Sequence, residues 1–395
     1  MPSSISTSGS SAQSELRRLA AAVLLCSACR GEMPKAGFDI AGLVDSLRPG
    51  VEQSVGLPFK TTPRSQMVSK DAVRSYILGR LDREFPQSKR DGMQAAYRLF
   101  GLLPDTLDLE KLLLDLYGEQ VAGYYDPETS TLYGVEGGDR TQLRLILAHE
   151  LVHALQHQYL PLDSLMSTKG DGDRTAATQA VLEGHATLAS IALLAPGVDV
   201  IHTQEFWDTY KEQVRTSQSS MPIFAKAPLI LRESLIFPYV SGAEFMRWWA
   251  LTKHPPLPAR GELPMSTEQV LHPDRYPADQ PVTVRFEDST AKVLFEDTFG
   301  ELETQILLAS FRGAAVTGLD RAIGWGGDRY RVYETPGGPG LVWLTAWDAE
   351  PQRDRFQAAA EEGFKKLARP GYQVTVESIA LGSRPGVRVE HVPKT

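Results

Sequence analysis

Residues 148–156 read Ala-His-Glu-Leu-Val-His-Ala-Leu-Gln and lie in an apolar stretch that favours a helix from about Gln142 to Gln158. Residues four apart project from the same face of a helix, so His149 and His153 can bind one Zn²⁺ ion. Glu150 then lies beside the open position of the metal, where a carboxylate can act as a general base. The spacing therefore predicts a zinc site on a buried helix.

A third zinc ligand is expected on the next helix, which the sequence predicts from about Thr175 to Leu194. There the chain reads Ala180-Val-Leu-Glu-Gly-His-Ala186, and Glu183 is the candidate ligand, with His185 as its competitor. Small side chains on the Glu183 side of this helix would let it approach the first helix closely: Ala176, Ala180, Ala186 and Thr187.

His157 continues the every-fourth-residue spacing, but it is not expected to be a ligand. It lies eight residues beyond His149, or about 12 Å along a helix axis, which is too far for both to bind one ion. The metzincin pattern is also absent, because Gln156 and Tyr159 occupy the positions where that pattern has Gly and His. The predicted ligand set is thus His149, His153 and Glu183.

Three motifs carry a resemblance to a known family: Gly123-Tyr-Tyr-Asp-Pro127, the stretch 148–156, and Leu182-Glu-Gly-His-Ala-Thr187. Together they resemble exported bacterial zinc metallopeptidases without assigned substrates. Three later stretches, 237–239, 266–273 and 324–329, match the same pattern and extend the resemblance over roughly residues 110–350. The two histidines with a glutamate from a later helix also look like the gluzincin arrangement of thermolysin-like peptidases. This resemblance implies a zincin-like catalytic region, Zn²⁺ as cofactor and a peptide or protein substrate. Thr187 departs from the thermolysin-like pattern, which often has Asp there.

The order of predicted elements indicates an α+β protein in two parts. Residues 66–275 are predicted to form a mainly helical, zincin-like metallohydrolase domain, with a short β-hairpin over 123–134 just before the motif helix. Residues 276–395 are predicted to form a smaller α+β region. Its expected elements alternate along the chain: strand 282–286, helix 298–311, strands 329–334 and 341–347, helix 350–367, and strands 372–379 and 386–392.

The N-terminal residues have the pattern of an export signal. Ten apolar residues, 19–28, follow Arg17 and Arg18; this run is too short to span a bilayer but has the length of a signal-peptide core. It ends at Cys29 in a sequence that resembles a bacterial lipobox, so residues 1–29 are predicted to be a lipoprotein signal and Cys29 the lipidated residue. An ordinary cleaved signal and a buried apolar helix are the alternatives. Residues 30–65 are predicted to be a linker.

The composition excludes one class of partner. The 395-residue chain has a net charge of −8, with 42% hydrophobic and 23% charged residues, which is typical of a globular protein. Nucleic-acid binders usually concentrate Lys and Arg on one face, and the sequence contains no such stripe. We expect no nucleic-acid partner, and contact with a membrane only through a lipid on Cys29.

The predicted function is hydrolysis of peptide bonds by a water that zinc activates, with Glu150 as the general base, in a protein exported to the cell envelope. The alternatives are a zinc amidase acting on cell-wall material and a non-catalytic zinc-containing surface protein. Glu150 argues against the last, because a structural zinc site has no use for a free carboxylate. The candidate donors to the developing oxyanion are His272, Tyr239 and Arg329. Their structural alternatives are a helix-cap histidine, a core tyrosine and a surface salt bridge. The hairpin over 123–134 is expected to offer a strand edge to an extended peptide.

Overall fold

The computed structural model describes residues 39–84, 86–137, 140–166, 170–195, 197–252, 254–287, 291–313, 322–367 and 369–394. As predicted, the fold is α+β, with a helical region followed by a C-terminal region built on a sheet. The helices are, in chain order, α1 (Ile40–Val55), α2 (Lys70–Glu84), α3 (Gln87–Leu99), α4 (Leu109–Gln120), α5 (Arg140–Tyr159), α6 (Leu162–Met166), α7 (Gly172–Leu194), α8 (Gln204–Ser219), α9 (Pro222–Lys226), α10 (Leu229–Leu251), α11 (Thr267–Leu271), α12 (Gly300–Arg312) and α13 (Glu350–Lys366).

The strands form a small sheet and a larger one. They are β1 (Arg64–Val68), β2 (Gly123–Asp126), β3 (Thr131–Val135), β4 (Val293–Asp297), β5 (Trp325–Thr335), β6 (Gly338–Trp347), β7 (Tyr372–Leu381) and β8 (Arg384–Pro393). The first sheet has the order β1-β3-β2, in which β1 runs parallel and β2 antiparallel to β3. The second has the order β4-β5-β6-β8-β7, and all its neighbours are antiparallel.

The predicted hairpin is confirmed, with Tyr124 opposite Tyr133 and their rings stacked at 4.8 Å. Because β3 lies between the other two strands, β2 is an edge strand and β3 is central. An extended peptide could therefore be added beside β2 but not beside β3. Leu132, on β3, is fully buried and belongs to the core beneath the sheet.

The motif helix α5 begins and ends close to the predicted bounds and is buried along most of its length. Its apolar residues share a core with α1, β3 and α7: Leu143, Leu147, Leu151, Val152 and Leu155. The next helix, α7, is buried almost continuously from Gly172 to Ser190. Two buried helices side by side thus form the base on which the functional side chains lie.

Glycines let α7 and α10 touch backbone to backbone. A Cβ atom at Gly184 would lie 2.1 Å from the carbonyl carbon and oxygen of Gly242, and one at Gly242 would lie 2.0 Å from the carbonyl oxygen of Ala180. Such distances are far inside van der Waals contact, so only glycine fits at either position. The contact fixes the height and rotation of α7 beside Glu183.

The N-terminus of α7 is anchored to the C-terminal region by buried carboxylates. Asp297, at the end of β4, accepts the backbone N–H of Gly172 at 2.7 Å. Asp173, in the first turn of α7, accepts the backbone N–H and the hydroxyl of Thr267 from α11. These acceptors satisfy donors at helix N-termini, where negative charge is favoured. The C-terminal sheet therefore holds the helix that carries Glu183.

Two sequence predictions about local structure are wrong. Residues 40–55, assigned to the linker, form α1, whose buried residues pack against α5; Pro49 and Gly50 obscure its periodicity. Gly50 packs against the side chain of Leu193 of α7. Residues 282–286, predicted to be a strand, form no strand, although the N–H of Val282 donates to the carbonyl of Gly326.

The predicted signal, residues 1–29, and its lipidation site Cys29 lie outside the described residues. Within the part of the chain that is described, no helix is both long and apolar enough to cross a membrane.

Replacing Gly184 with Ala is expected to destabilise the protein by about 3 kcal/mol, the upper end for overpacking a core, because the new methyl group meets the backbone of α10. Gly118 is the matched control: it is exposed on α4 and a Cβ there would meet nothing within 4 Å. Gly118→Ala should be neutral or stabilise by up to about 1 kcal/mol. Urea unfolding of both variants measures the difference, and equal stabilities would show that the α7–α10 contact is not tight.

Candidate metal centre

Three side chains from α5 and α7 converge on one point. The Nε2 atoms of His149 and His153 are 3.1 Å apart, and Oε2 of Glu183 lies 3.1 Å from the first and 3.3 Å from the second. All three groups are largely or completely buried. The structure thus brings together the three residues that the sequence predicted as ligands.

The donor atoms have the spacing of a tetrahedral zinc site. Ligand atoms at about 2.0–2.1 Å from Zn²⁺ and at tetrahedral angles lie about 3.3–3.4 Å from one another. The three observed distances, 3.1–3.3 Å, are close to this separation. Two imidazole nitrogens and a carboxylate oxygen are also ligand types that zinc commonly binds. The residues present therefore fit a zinc ion.

Gln156 orients one of the ligand histidines. Its Oε1 accepts the Nδ1–H of His153 at 2.8 Å, which leaves Nε2 with its lone pair directed at the cluster. Its amide nitrogen donates to the carbonyl of Leu182 at 2.8 Å and to Nδ1 of His185 at 3.0 Å. Gln156 therefore connects the two helices beside the cluster.

His185 is accordingly not a ligand. Its Nδ1 accepts from Gln156 rather than facing the other imidazoles, and burial lowers the pKa of its ring to about 4, so it is neutral. His157 also lies apart from the cluster, because its Nδ1 is 3.0 Å from the hydroxyl of Tyr125.

Tyr239 supports the carboxylate ligand. It lies on α10, is 1% exposed, and its hydroxyl forms a hydrogen bond with Glu183. Its ring stacks on that of His149 with 6.0 Å between the centroids. Burial, and then the charges of Glu183 and Glu150, raise its pKa well above the ordinary value, so the hydroxyl keeps its proton. Tyr239 is thus a positioning residue for Glu183.

The other two oxyanion candidates lie elsewhere. His272 pairs through Nε2 with the buried carboxylate of Glu301 at 3.0 Å. Arg329 binds Glu296 and the carbonyl of Gly170, each at 2.7 Å. Neither side chain lines the cavity beside the metal cluster, so the structure contradicts both predictions. His272 instead connects the end of α11 with α12, and Arg329 connects β5 with β4 and with the loop before α7.

Glu150 faces the cavity and is held by the hairpin. Its Oε2 accepts the backbone N–H of Tyr125, on the edge strand β2, at 2.8 Å. Burial raises the pKa of this carboxyl to about 8 in the metal-free protein, although His153 and the Tyr125 N–H act in the opposite direction. A general base works best with a pKa near the working pH.

A cavity of about 130 Å³ opens over the cluster. It exceeds the roughly 10–15 Å³ that one water molecule requires. Its lining residues come from the hairpin, from α2, and from the helices around the cluster: Arg80, Tyr124, Tyr125, Pro127, Glu150, His153, Leu162, Asp163, Met166, Gln179, Leu182 and Glu183. Two of the three candidate ligands, His153 and Glu183, therefore border space that both water and part of a substrate can enter.

Sequence reasoning missed the roles of Gln156, Tyr125 and Arg80. Gln156 lies three residues after His153, on the same face of the helix, and this spacing was the available signal. Tyr125 acts through its backbone, which no side-chain pattern reveals. Arg80, whose Nη1 donates to the hydroxyl of Tyr76 at 2.7 Å, reaches the cavity from α2, and only the tertiary fold brings it there.

The charges around the cluster balance in the metal-free protein. Burial raises the pKa of Glu183, but His153 and hydrogen bonds from both imidazoles outweigh this effect and lower it to about 2. Burial lowers the pKa of His153, but Glu183 and Glu150 together outweigh this effect and raise it to about 9. Burial lowers the pKa of His149. A protonated His153 thus neutralises Glu183 at pH 7.

Comparison with known proteins reaches only the C-terminal region. Residues 290–388 match the family model of a domain of unknown function (DUF8575). The matched segment includes β4–β7 and the first half of β8 but neither α5 nor α7. No curated protein and no solved structure matches the chain.

Zinc binding is expected to release at least one proton at pH 7, because the ion must displace the proton that His153 holds with a pKa of about 9. Apparent zinc affinity should rise up to about tenfold per pH unit between pH 6.5 and 9. Over the same range the free energy of unfolding of the metal-free protein should fall. The folded protein binds the proton of His153 more tightly than the unfolded chain does, and this contribution to stability is lost as the pH rises through 9.

Calorimetric titration with zinc, in two buffers of different ionisation enthalpy, counts the released protons. Affinity that stays constant from pH 6.5 to 9, with no proton released, would contradict the charge state assigned to His153.

Proposed function

We propose that this protein is a zinc-dependent metallopeptidase with a gluzincin type of metal centre, in which His149, His153 and Glu183 hold the ion. The observation that carries the proposal is the mutual spacing of the three donor atoms, 3.1–3.3 Å, beside a cavity that the carboxylate of Glu150 also lines. The residues of this centre are those on which the resemblance to exported bacterial zinc metallopeptidases rests. The proposed zincin-like character of the helical region rests on the same residues.

A zinc ion in such a set would act as a Lewis acid on a substrate carbonyl and lower the pKa of a water molecule. Glu150 accepts a proton from the attacking water and returns it to the leaving amine. The Tyr125 N–H keeps the Glu150 carboxylate in place during both transfers. Tyr239 and Gln156 hold Glu183 and His153 in their orientations.

Peptides are the substrate class that the surroundings of the site favour. β2 is an edge strand, Tyr124 and Tyr125 line the cavity, and the N–H of Tyr125 points away from β3 towards Glu150. An extended chain lying along this edge would pass the general base. Arg80 places a guanidinium at the same cavity.

Two other functions remain alternatives. A zinc amidase acting on cell-wall material would use the same ligands and base on a different amide. A non-catalytic zinc-containing surface protein would need neither Glu150 nor the cavity, and the presence of both argues against it. Export and a lipid on Cys29 are proposed from the sequence of residues 1–29, and would direct the activity to substrates of the cell envelope.

The Glu150→Gln variant should keep one zinc per chain and lose activity by at least about 10³-fold, because the amide cannot accept the proton of the attacking water. The His149→Ala variant should lose both zinc and activity. Zinc is measured by mass spectrometry of the purified protein, and turnover with fluorescently labelled casein. His202→Ala is the control, since His202 is 69% exposed and pairs with Asp199 on the surface; it should keep both properties.

Digestion of purified peptidoglycan, without digestion of casein, would favour the amidase. Full activity of the Glu150→Gln variant would contradict the assignment of the general base. Absence of zinc from the wild-type protein after loading would contradict the metal centre itself.

A further inference from the structure

A second group of metal-ligating side chains lies away from the proposed zinc centre. Glu268 on α11, Asp279 in the loop that follows, and Asp348 just after β6 each direct a carboxylate oxygen to one place, and the three oxygens lie within 4.8 Å of one another. The amide nitrogen of Gln269 donates to the carbonyl of Asp279 at 2.5 Å and so holds the loop against α11. The three carboxylates thus come from three separate chain segments.

Glu268 has no adequate partner for its charge. Its side chain is 1% exposed, and neither carboxylate oxygen has a hydrogen-bond partner among the described residues. Nη1 of Arg275 is 3.8 Å from Oε1, which is beyond hydrogen-bond range. Burying a carboxylate without such partners is costly unless a proton or a cation compensates. Burial first, and then the charges of Glu301, Asp279 and Asp348, raise the pKa of Glu268 to about 10.

The surrounding cations do not balance the cluster. Arg275 lies 3.6 Å from Asp279, and Arg384 pairs with Asp348. Glu301 of α12 adds a fourth carboxylate behind Glu268, and His272 pairs with it at 3.0 Å. Two guanidinium groups therefore face three carboxyl groups, so without a bound cation Glu268 holds a proton.

The ligand atoms are all carboxylate oxygens, which hard cations prefer. Calcium accepts six to eight oxygen ligands at about 2.3–2.6 Å and tolerates irregular geometry, so one ion can bridge oxygens up to about 4.6–5.2 Å apart. Magnesium binds at about 2.0–2.1 Å and demands a regular octahedron, which suits this spread of ligands less well. The side chains of Asp279 and Asp348 are 22% and 28% exposed, so water can complete the shell.

We propose that Glu268, Asp279 and Asp348 form a calcium site that fastens the C-terminal sheet to the helical region. Asp348 directly follows β6 of the sheet. Thr267, the neighbour of Glu268, binds Asp173 in the first turn of α7. A calcium ion here would therefore stabilise the junction that holds α7, without taking part in hydrolysis. The proposal is independent of the proposed peptidase activity.

The test compares thermal unfolding of the full chain in EGTA and in calcium chloride. Calcium at about one hundred times its Kd should raise the midpoint of the wild-type protein by about 5 °C, and calorimetry should give one calcium per chain. The Glu268→Gln variant should lose this rise. In EGTA its stability should be close to that of the wild type, because a neutral amide replaces a buried carboxyl group that holds a proton there.

Asp199→Asn is the matched control, because Asp199 is a carboxylate with a 60% exposed side chain that pairs with His202 away from the cluster; it should keep the calcium response. His149→Ala should also keep it, which separates this site from the zinc centre. No rise with calcium, an unchanged rise in Glu268→Gln, or an equal rise with magnesium would each overturn the assignment.

Discussion

The site depends on two buried helices lying close enough for a carboxylate on one to reach two imidazoles on the other. On one side, α7 packs against α10, where Gly184 and Gly242 allow the two backbones to touch. On the side of α7 that faces α5, Gln156 of α5 donates to the carbonyl of Leu182 and fixes the register of α5 against α7. The ligands lie between these two contacts, so neither helix can shift without separating them.

The C-terminal region contributes to the site without entering it. Asp297 ties it to the start of α7 by accepting from Gly172, while Asp173 in the first turn of α7 accepts from Thr267 of α11. In the same region Asp328 accepts the N–H groups of Phe299 and Gly300 and thereby fixes α12. Carboxylates at helix N-termini are favourable because the backbone donors there have no partners within the helix. The family match over residues 290–388 therefore covers the support of the site and not its chemistry.

The sequence predicted which side chains converge better than it predicted what surrounds them. The four-residue spacing of His149 and His153 determines their common helical face, so their convergence followed from helix geometry alone. The small residues around Glu183 predict that its helix packs closely against a neighbour. The structure shows that this close backbone contact is with α10 and not with α5. The prediction that His272 and Arg329 donate to the oxyanion is wrong. Residue type shows that a side chain can donate a hydrogen bond but does not show where the fold places it. Residues 40–55 were taken for a linker because Pro and Gly normally end helices; here Pro49 lies within one.

The central claim is that one ion binds between α5 and α7 with a position left open to the cavity. The most direct test is a crystal structure of the zinc-loaded protein with anomalous diffraction measured at the zinc absorption edge. We expect one peak about 2.0–2.2 Å from Nε2 of His149, Nε2 of His153 and a carboxylate oxygen of Glu183, with its fourth side towards Glu150. A peak elsewhere, or a fourth protein side chain in the coordination position that faces Glu150, would contradict the account.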